Sequence, residues 1–286
     1  MRVSRRNVWW SILIVGIFAA AQSVAAQKPP SQPSPPPPTQ GMPTASPTNN
    51  NANAASAETV QPPSKQENKA IKSFRDVQPN EADKKTQLGE NFIQTYPDSR
   101  YRPEVVSWLA SAYMRKGEVD KLQTEGDKEL AIAQKNPLSL AALGSNLARA
   151  VNANTPDLAK HLEQAETFCK KSLEILAATQ KPEGVSEEKF TEAKNETSAL
   201  AYSGLGTVAF RRGKYADAVS NLQQAVKLSP KDPVDFYVLG KSEEAQTNYS
   251  EALAAYTHCA AMPGGMQAPC QSSAQEMKTH GAILPK

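Results

Sequence analysis

Three cysteines and three histidines are the side chains with the most distinctive chemistry in this sequence. Cys259 and Cys270 flank a segment containing proline and glycine, so in an oxidising compartment they can close into a disulfide. Two alternatives stay open, namely free thiols and a metal site that also uses His258 and His280. Because His258 and Cys259 are adjacent, they would point about 100° apart on a helix, which disfavours the metal site. Cys169 is predicted to be a small buried packing residue.

A catalytic site would need a nucleophile beside a base, paired carboxylates in apolar surroundings, or clustered ligands. Glu187-Glu188 and Glu243-Glu244 are instead adjacent pairs on polar helical surfaces, which is typical of a solvated face. His161 shares no motif with the other histidines, and Gly204-x-Gly206 falls inside a predicted helix rather than in a phosphate-binding loop. The sequence therefore predicts a chain that is not an enzyme and uses no cofactor and no metal.

Residues 1–26 have the three-part layout of a secretory signal peptide. A basic start, Met1–Asn7, precedes the apolar run Val8–Ala21, and Val24-Ala25-Ala26 offers small residues at a cleavage point. The apolar run is too short to span a bilayer comfortably, and an uncleaved signal anchor is the alternative. We expect an exported protein, periplasmic or associated with the cell envelope, whose mature chain has no transmembrane segment.

Removal of this segment makes the chain formally neutral. Arg2, Arg5 and Arg6 account for three of the 32 basic residues, which leaves 29 against 29 acidic residues, none of which precedes residue 27. General binding to a polyanion needs an excess of Lys and Arg. We therefore expect no nucleic-acid partner.

Residues 27–63 differ in composition from the rest of the chain. Eleven of the 22 prolines fall here, among Ser, Thr, Asn, Gln and Ala, with few large apolar side chains. Such a segment buries too little apolar surface to offset the entropy of ordering. We predict a disordered linker, although proline-rich segments can also be ligands for aromatic grooves.

Two stretches near the C-terminus repeat one pattern of bulky and small side chains at an interval of 34 residues. An amphipathic helix has a period of 3.6 residues and gives no reason for this longer interval. Small residues let two antiparallel helices approach closely, and bulky residues fill the space beside the crossing. The pattern therefore predicts helix-turn-helix units that stack on one another. The first stretch contains Tyr202, Leu205, Gly206, Tyr215, Ala218, Leu222 and Ala225, and the second contains Phe236, Leu239, Gly240, Tyr249, Ala252, Tyr256 and Cys259.

This pattern resembles the tetratricopeptide repeat (TPR), in particular that of bacterial exported and envelope proteins. Residues 199–232 and 233–263 match it best, residues 64–198 are similar to more degenerate pairs, and residues 268–286 fit a C-terminal capping helix and tail. The resemblance implies an all-α fold, a right-handed superhelical stack of about five antiparallel helix pairs with a capping helix.

The resemblance also implies where a partner binds, because the first helix of each pair lines the concave face of such a stack. Carried over position by position, this face is mildly basic with aromatic contacts, which suits a peptide that carries an acidic group. Alternatively, these are ordinary exposed residues on a curved surface. The predicted residues are Tyr113, Ser145, Arg149, Asn152, Ser203, Thr207, Phe210, Arg211, Tyr237, Lys241 and Glu244.

These observations favour a non-catalytic scaffold that binds a peptide or protein segment in the cell envelope. One alternative is a structural component of an envelope assembly machine. Another is a binder of cell-wall polymer, or an enzyme that the helical pattern conceals. The sequence does not name the partner or fix the oligomeric state.

Overall fold

A computed structural model of the chain describes residues 63–78, 80–132 and 136–284. The predicted signal peptide and nearly all of the predicted linker lie outside these residues. Helices joined by short loops make up the described residues, which contain no strand. The helices are α1 (Lys65–Arg75), α2 (Ala82–Thr95), α3 (Arg102–Lys116), α4 (Val119–Ala131), α5 (Pro137–Ala150), α6 (Leu158–Ala178), α7 (Glu187–Arg211), α8 (Tyr215–Leu228), α9 (Pro233–Glu244), α10 (Tyr249–Ala260) and α11 (Gln267–Thr279).

The helices are arranged as five consecutive pairs and one final helix. Each odd-numbered helix from α1 to α9 packs against the helix that follows it, and α11 packs on α10. The first helices of successive pairs also contact one another directly, α3 with α5, α5 with α7 and α7 with α9. The predicted all-α stack of five pairs with a capping helix is therefore confirmed. No helix in the described ranges is both long enough and apolar enough to cross a membrane.

The start of α1 shows how local sequence sets a helix boundary. Ser64 is the N-cap, and its Oγ accepts a hydrogen bond of 3.0 Å from the backbone N–H of Glu67. In a full capping box the Glu67 carboxylate would return to the N-cap backbone. It instead accepts a hydrogen bond of 2.6 Å from Ser99 Oγ, and so connects α1 to the segment before α3.

Glycines at equivalent positions permit the helix crossings that the repeat pattern predicts. A Cβ atom on Gly206 would lie 2.5 Å from Leu222 Cγ, and one on Gly240 would lie 2.5 Å from Tyr256 Cε1. Both distances are shorter than the closest approach of two non-bonded carbon atoms. The paired helices can therefore pack this closely only because glycine occupies these positions. The interval of 34 residues thus reflects a repeated close contact between α7 and α8 and between α9 and α10.

Cys169 lies where α5, α6 and α7 meet. Its side chain is fully buried, and Cβ atoms on Gly144 and Gly204 would lie 2.6 Å and 2.4 Å from its Sγ. Burial raises the pKa of the Cys169 thiol to about 12, so it remains protonated at neutral pH. The environment is that of a small packing residue rather than of a reactive thiolate.

The capping helix α11 is joined to the last pair by a covalent bond. Cys259 in α10 and Cys270 in α11 form a disulfide with Cα atoms 5.8 Å apart, and both residues are buried. The two histidines of the alternative metal site contact other rings, since His258 stacks on Phe236 and His280 stacks on Tyr249. The geometry therefore favours the disulfide over a shared metal.

We expect loss of this disulfide to lower the free energy of unfolding by about 3 kcal/mol, because the bridge restricts a short loop in the unfolded chain. Thermal denaturation with and without reductant measures this change, and a Cys259→Ala/Cys270→Ala variant should show no effect of reductant. Thiol counting on the unfolded, oxidised protein should find Cys169 alone. Three free thiols in exported material would contradict the bridge.

Candidate functional site

An ion-paired cluster connects the first helices of three successive pairs. Arg149 near the end of α5 directs Nη2 to Asp232 Oδ2 and Asp235 Oδ1, each at 2.8 Å. Ser203 of α7 accepts a hydrogen bond of 2.8 Å from the same Nη2 and donates one of 2.5 Å to Asp235 Oδ1. The side chains of Arg149 and Asp235 are only 16% and 6% exposed. The cluster therefore links α5, α7 and the start of α9 in a largely buried setting.

This cluster corrects the prediction that Arg149 gives the concave face a basic character. Its guanidinium is compensated by two carboxylates, one of them buried, so little positive charge is left for a ligand. The resemblance of the degenerate upstream pairs to the repeat placed Arg149 on a first helix, and it does lie in α5. It could not show that Asp232 and Asp235 of a later repeat would occupy the space in front of it.

Three further predicted concave-face residues are also buried, and so is Ser145. Tyr113 is 4% exposed, and its hydroxyl donates a hydrogen bond of 3.1 Å to Glu90 Oε1. Ser203 and Thr207 are buried, and the Thr207 hydroxyl donates to the Ser203 carbonyl oxygen at 2.9 Å. Their burial argues against the prediction that these side chains contact a partner. Adjacent first helices pack directly on one another, which covers positions that an isolated pair would expose.

The remaining predicted residues stay accessible at the C-terminal end of the stack and in one loop. Asn152 and Arg211 are exposed, whereas Phe210 and Tyr237 are half-buried. Asn152 lies in the loop between α5 and α6, where its Oδ1 accepts a hydrogen bond of 2.9 Å from the Asn154 backbone. This contact makes Asn152 a stabilising residue of the turn.

The last two predicted residues, Lys241 and Glu244, pair with each other on α9. Lys241 Nζ lies 3.0 Å from Glu244 Oε2, which also accepts a hydrogen bond of 2.6 Å from the Tyr256 hydroxyl. Both side chains are half-buried. The accessible surface therefore combines the rings of Phe210 and Tyr237 with a compensated ion pair. Arg211, which follows Phe210 at the end of α7, is exposed and has no carboxylate partner among the described residues. We call Phe210, Arg211, Tyr237, Lys241 and Glu244 the terminal surface.

A groove that the sequence reasoning missed adjoins this surface at Arg211. It has a volume of about 580 Å³ and lies between the start of α6 and the end of α7. Leucine and alanine side chains of α6 form its apolar part, and Arg212 is ion-paired with Glu166 at its edge. The enlarged loop at Asn152–Pro156, which sets where α6 starts, was the sequence signal for an opening here. The lining residues are Leu158, Ala159, Leu162, Glu163, Glu166, Arg211 and Arg212.

Titration of the Asp235 carboxyl makes the stability of the protein depend on pH. Burial raises the pKa of Asp235 from 3.8 to about 6, although Arg149 favours the charged form, and the Asp232 carboxylate adds to the rise. The folded protein thus binds this proton more tightly than the unfolded chain. The stability that protonation contributes is fully present below about pH 4 and is lost as the pH rises through about 6.

Because each pKa unit is worth about 1.4 kcal/mol, this change amounts to about 3 kcal/mol. We expect the unfolding free energy of the native protein, relative to Asp235→Asn, to fall by about that amount between pH 4 and pH 7. Urea denaturation of both proteins over this range measures the difference, which cancels the titration of other groups. A difference that does not change with pH would contradict the assignment to Asp235.

A match to a protein family agrees with the repeat geometry. Residues 160–259 match the protein family described as anaphase-promoting complex, cyclosome, subunit 3. This range covers the two close glycine crossings and the 34-residue interval between them. These residues form tetratricopeptide repeats. A solved structure of a thermophilic TPR protein from Thermus thermophilus is 19% identical, with a TM-score of 0.49, covering 72% of this chain and 98% of that one. No curated protein matches the chain.

The TPR assignment explains which residues the site can use. In the TPR units the first helices α7 and α9 contact each other, and Phe210 at the end of α7 packs in one apolar cluster with Val238 and Leu239 of α9. Positions 203, 207 and 210 correspond to 237, 241 and 244 in the next unit. Ser203 and Thr207 are buried but Tyr237 and Lys241 are half-exposed. At these two positions the last TPR therefore exposes what the preceding one buries, whereas Phe210 and Glu244 are half-buried in both repeats.

Proposed function

We propose that this TPR protein is a non-catalytic scaffold of the cell envelope and that it binds a peptide or protein segment on the terminal surface. The TPR fold supports a role in protein–protein interaction in general. The observation that carries the location is that Tyr237 and Lys241 remain accessible, whereas the equivalent residues of the preceding repeat, Ser203 and Thr207, are buried. Aromatic rings beside a cation are the side chains that contribute most at protein interfaces.

The charge of this surface favours a partner segment with an acidic group. Lys241 is compensated by Glu244, whereas Arg211 has no carboxylate partner among the described residues. Arginine binds carboxylates with two parallel hydrogen bonds, which adds geometric specificity to the interaction. The adjacent groove offers the half-exposed Leu158 for an apolar side chain of the same segment.

Site-specific photo-crosslinking in producing cells tests this proposal. A photoreactive amino acid at position 237 should yield one discrete adduct that mass spectrometry identifies as a protein. The same amino acid at Gln223, an exposed residue of α8, should yield no such adduct. A Phe210→Ala/Arg211→Glu variant should weaken binding of the identified partner at least tenfold, because interface anchors contribute about 2 kcal/mol. Unchanged affinity would exclude the terminal surface as the site.

The envelope location is supported by the signal-peptide layout of residues 1–26. We propose export with cleavage before Gln27, and N-terminal sequencing of the protein from periplasmic or envelope fractions tests it. A protein that starts at residue 1 and sediments with membranes would indicate the uncleaved anchor. A protein confined to the cytoplasmic fraction would contradict export.

A further inference from the structure

The exposed face of α1 carries a row of lysines, none of which forms an ion pair with a carboxylate of the described residues. Lys65, Lys69 and Lys72 follow one another at i, i+4 and i+7, which places them on one side of the helix, and all three are exposed. Like charges at this spacing repel and slightly destabilise a helix. Elsewhere in the described chain several lysines pair with a carboxylate within one turn, as Lys171 does with Glu174. The row is thus a local excess of positive charge.

Arg100 adds a fourth cation beside this row. It is exposed, and its Nη2 donates a hydrogen bond of 2.8 Å to the Tyr101 hydroxyl. That hydroxyl in turn donates to Asn68 Oδ1 at 3.0 Å. Asn68 lies three residues after Lys65 and four before Lys72, so it adjoins both on the helix surface. The two hydrogen bonds therefore hold the guanidinium next to the lysines.

Two of the nearby carboxylates have other partners. Glu67 accepts the hydrogen bond from Ser99, and Glu104 pairs with Arg75 at 2.6 Å. Asp76, the C-cap of α1, lies four residues after Lys72 on the same exposed side, and among the described residues it is the one carboxylate that adjoins the lysine row. Four cations and one terminal carboxylate therefore define what we call the basic face, made of Lys65, Lys69, Lys72 and Arg100.

We propose that the basic face binds an anionic phospholipid surface, a function separate from partner binding on the terminal surface. The lysine row is straight and extends over about 10 Å of helix, since each residue adds about 1.5 Å. No other described helix covers it, and none of the lysines lines the groove described above. A flat anionic surface can contact all four cations at once. Each cation should then increase the affinity about fivefold.

The shape of the basic face also decides between a membrane and a nucleic acid. A single-stranded nucleic acid is bound by a positively charged groove with aromatic side chains that stack on bases. Here the Tyr101 ring lies under Arg75 and Arg100, with guanidinium carbons 5.0 Å and 4.9 Å from its centroid. That ring is therefore not free to stack on a base. Charge on an exposed helix surface fits lipid headgroups better.

Vesicle flotation with the full chain tests the proposal. The native protein should bind phosphatidylcholine vesicles that contain phosphatidylglycerol more tightly than pure phosphatidylcholine vesicles, and added salt should weaken the difference. A Lys65→Gln/Lys69→Gln/Lys72→Gln variant should lose on the order of 100-fold in affinity for the anionic vesicles. Its circular dichroism and melting curve should remain native, because the replaced side chains are exposed.

A matched control removes the same net charge elsewhere. Lys160, Lys189 and Lys227 are exposed lysines of α6, α7 and α8, and their joint replacement by glutamine should leave vesicle binding unchanged. Residues 1–62 are identical in all three proteins, so their own affinity for lipid cancels. Equal binding by both triple variants, or equal binding to both kinds of vesicle, would overturn the proposal. Retention on dextran sulfate without binding to anionic vesicles would assign the face to a soluble polyanion and would likewise overturn it.

Discussion

Replacement of Arg149 by methionine should lower the free energy of unfolding at pH 7 by about 3–5 kcal/mol. The reason is that Asp235 stays buried after its cationic partner is removed, and an uncompensated buried charge costs about that much. Ser203 can still donate one hydrogen bond to Asp235, but it carries no charge. Chemical denaturation followed by circular dichroism measures the loss. A change below about 1 kcal/mol would show that the cluster does not hold the three helices together.

Two matched variants separate the charge from the packing of the side chain. Arg211→Met removes an exposed arginine from the neighbouring helix and should change stability by less than about 0.5 kcal/mol. Adding Asp235→Asn to Arg149→Met should recover part of the loss, because it removes the charge left without a partner. The cost of Arg149→Met should also shrink towards pH 4, since the Asp235 carboxyl can then take up a proton. A cost that is the same at both pH values would point to lost packing instead.

The helices themselves were predictable because their signals are local. Ser64 and the residues that follow it set the start of α1, and Asn136-Pro137 sets the start of α5, where the Asn136 side chain accepts hydrogen bonds from two backbone N–H groups. The pairing of α7 with α8 was also predictable, since Gly206 recurs as Gly240 at the repeat interval. Signals of this kind lie within one repeat and do not depend on how many repeats follow.

The site was less predictable because it depends on contacts between repeats. Arg149 meets Asp235 across 86 residues of sequence, and only the combined packing of α5, α7 and α9 brings them together. Tyr113 lies in a degenerate unit, where the resemblance placed it on an open face although its ring packs inside the core. Tyr237 of the last TPR packs against the cluster that includes Ala274 and Met277 of α11 but stays half-exposed, so its role in binding stays a prediction. Whether a side chain on a first helix is exposed thus depends on how the next helix pair packs against it.

Replacement of Gly204 by leucine should lower the free energy of unfolding by about 4 kcal/mol or more. Gly204 stands where α7 crosses α5, and even a Cβ atom there would lie 2.4 Å from Cys169 Sγ and 3.0 Å from the Ser145 Cα atom. Rotation of Cys169 could relieve the first clash, but the second involves backbone and requires the two helices to separate. Overpacking by a few carbon atoms in such a place costs more than the gain in helix propensity.

A graded series makes this prediction specific to the helix crossing. Gly204→Ala should cost about 1–3 kcal/mol, and adding Cys169→Ala should recover only part of that loss, because the Ser145 backbone still stands in the way. Gly265→Leu is the control, since a Cβ atom at this exposed position would meet nothing within 4 Å. Its melting temperature should match that of the native protein. If Gly204→Leu melted like Gly265→Leu, α5 and α7 would not be in close contact, and the burial of Ser203 beside Arg149 would have no structural basis.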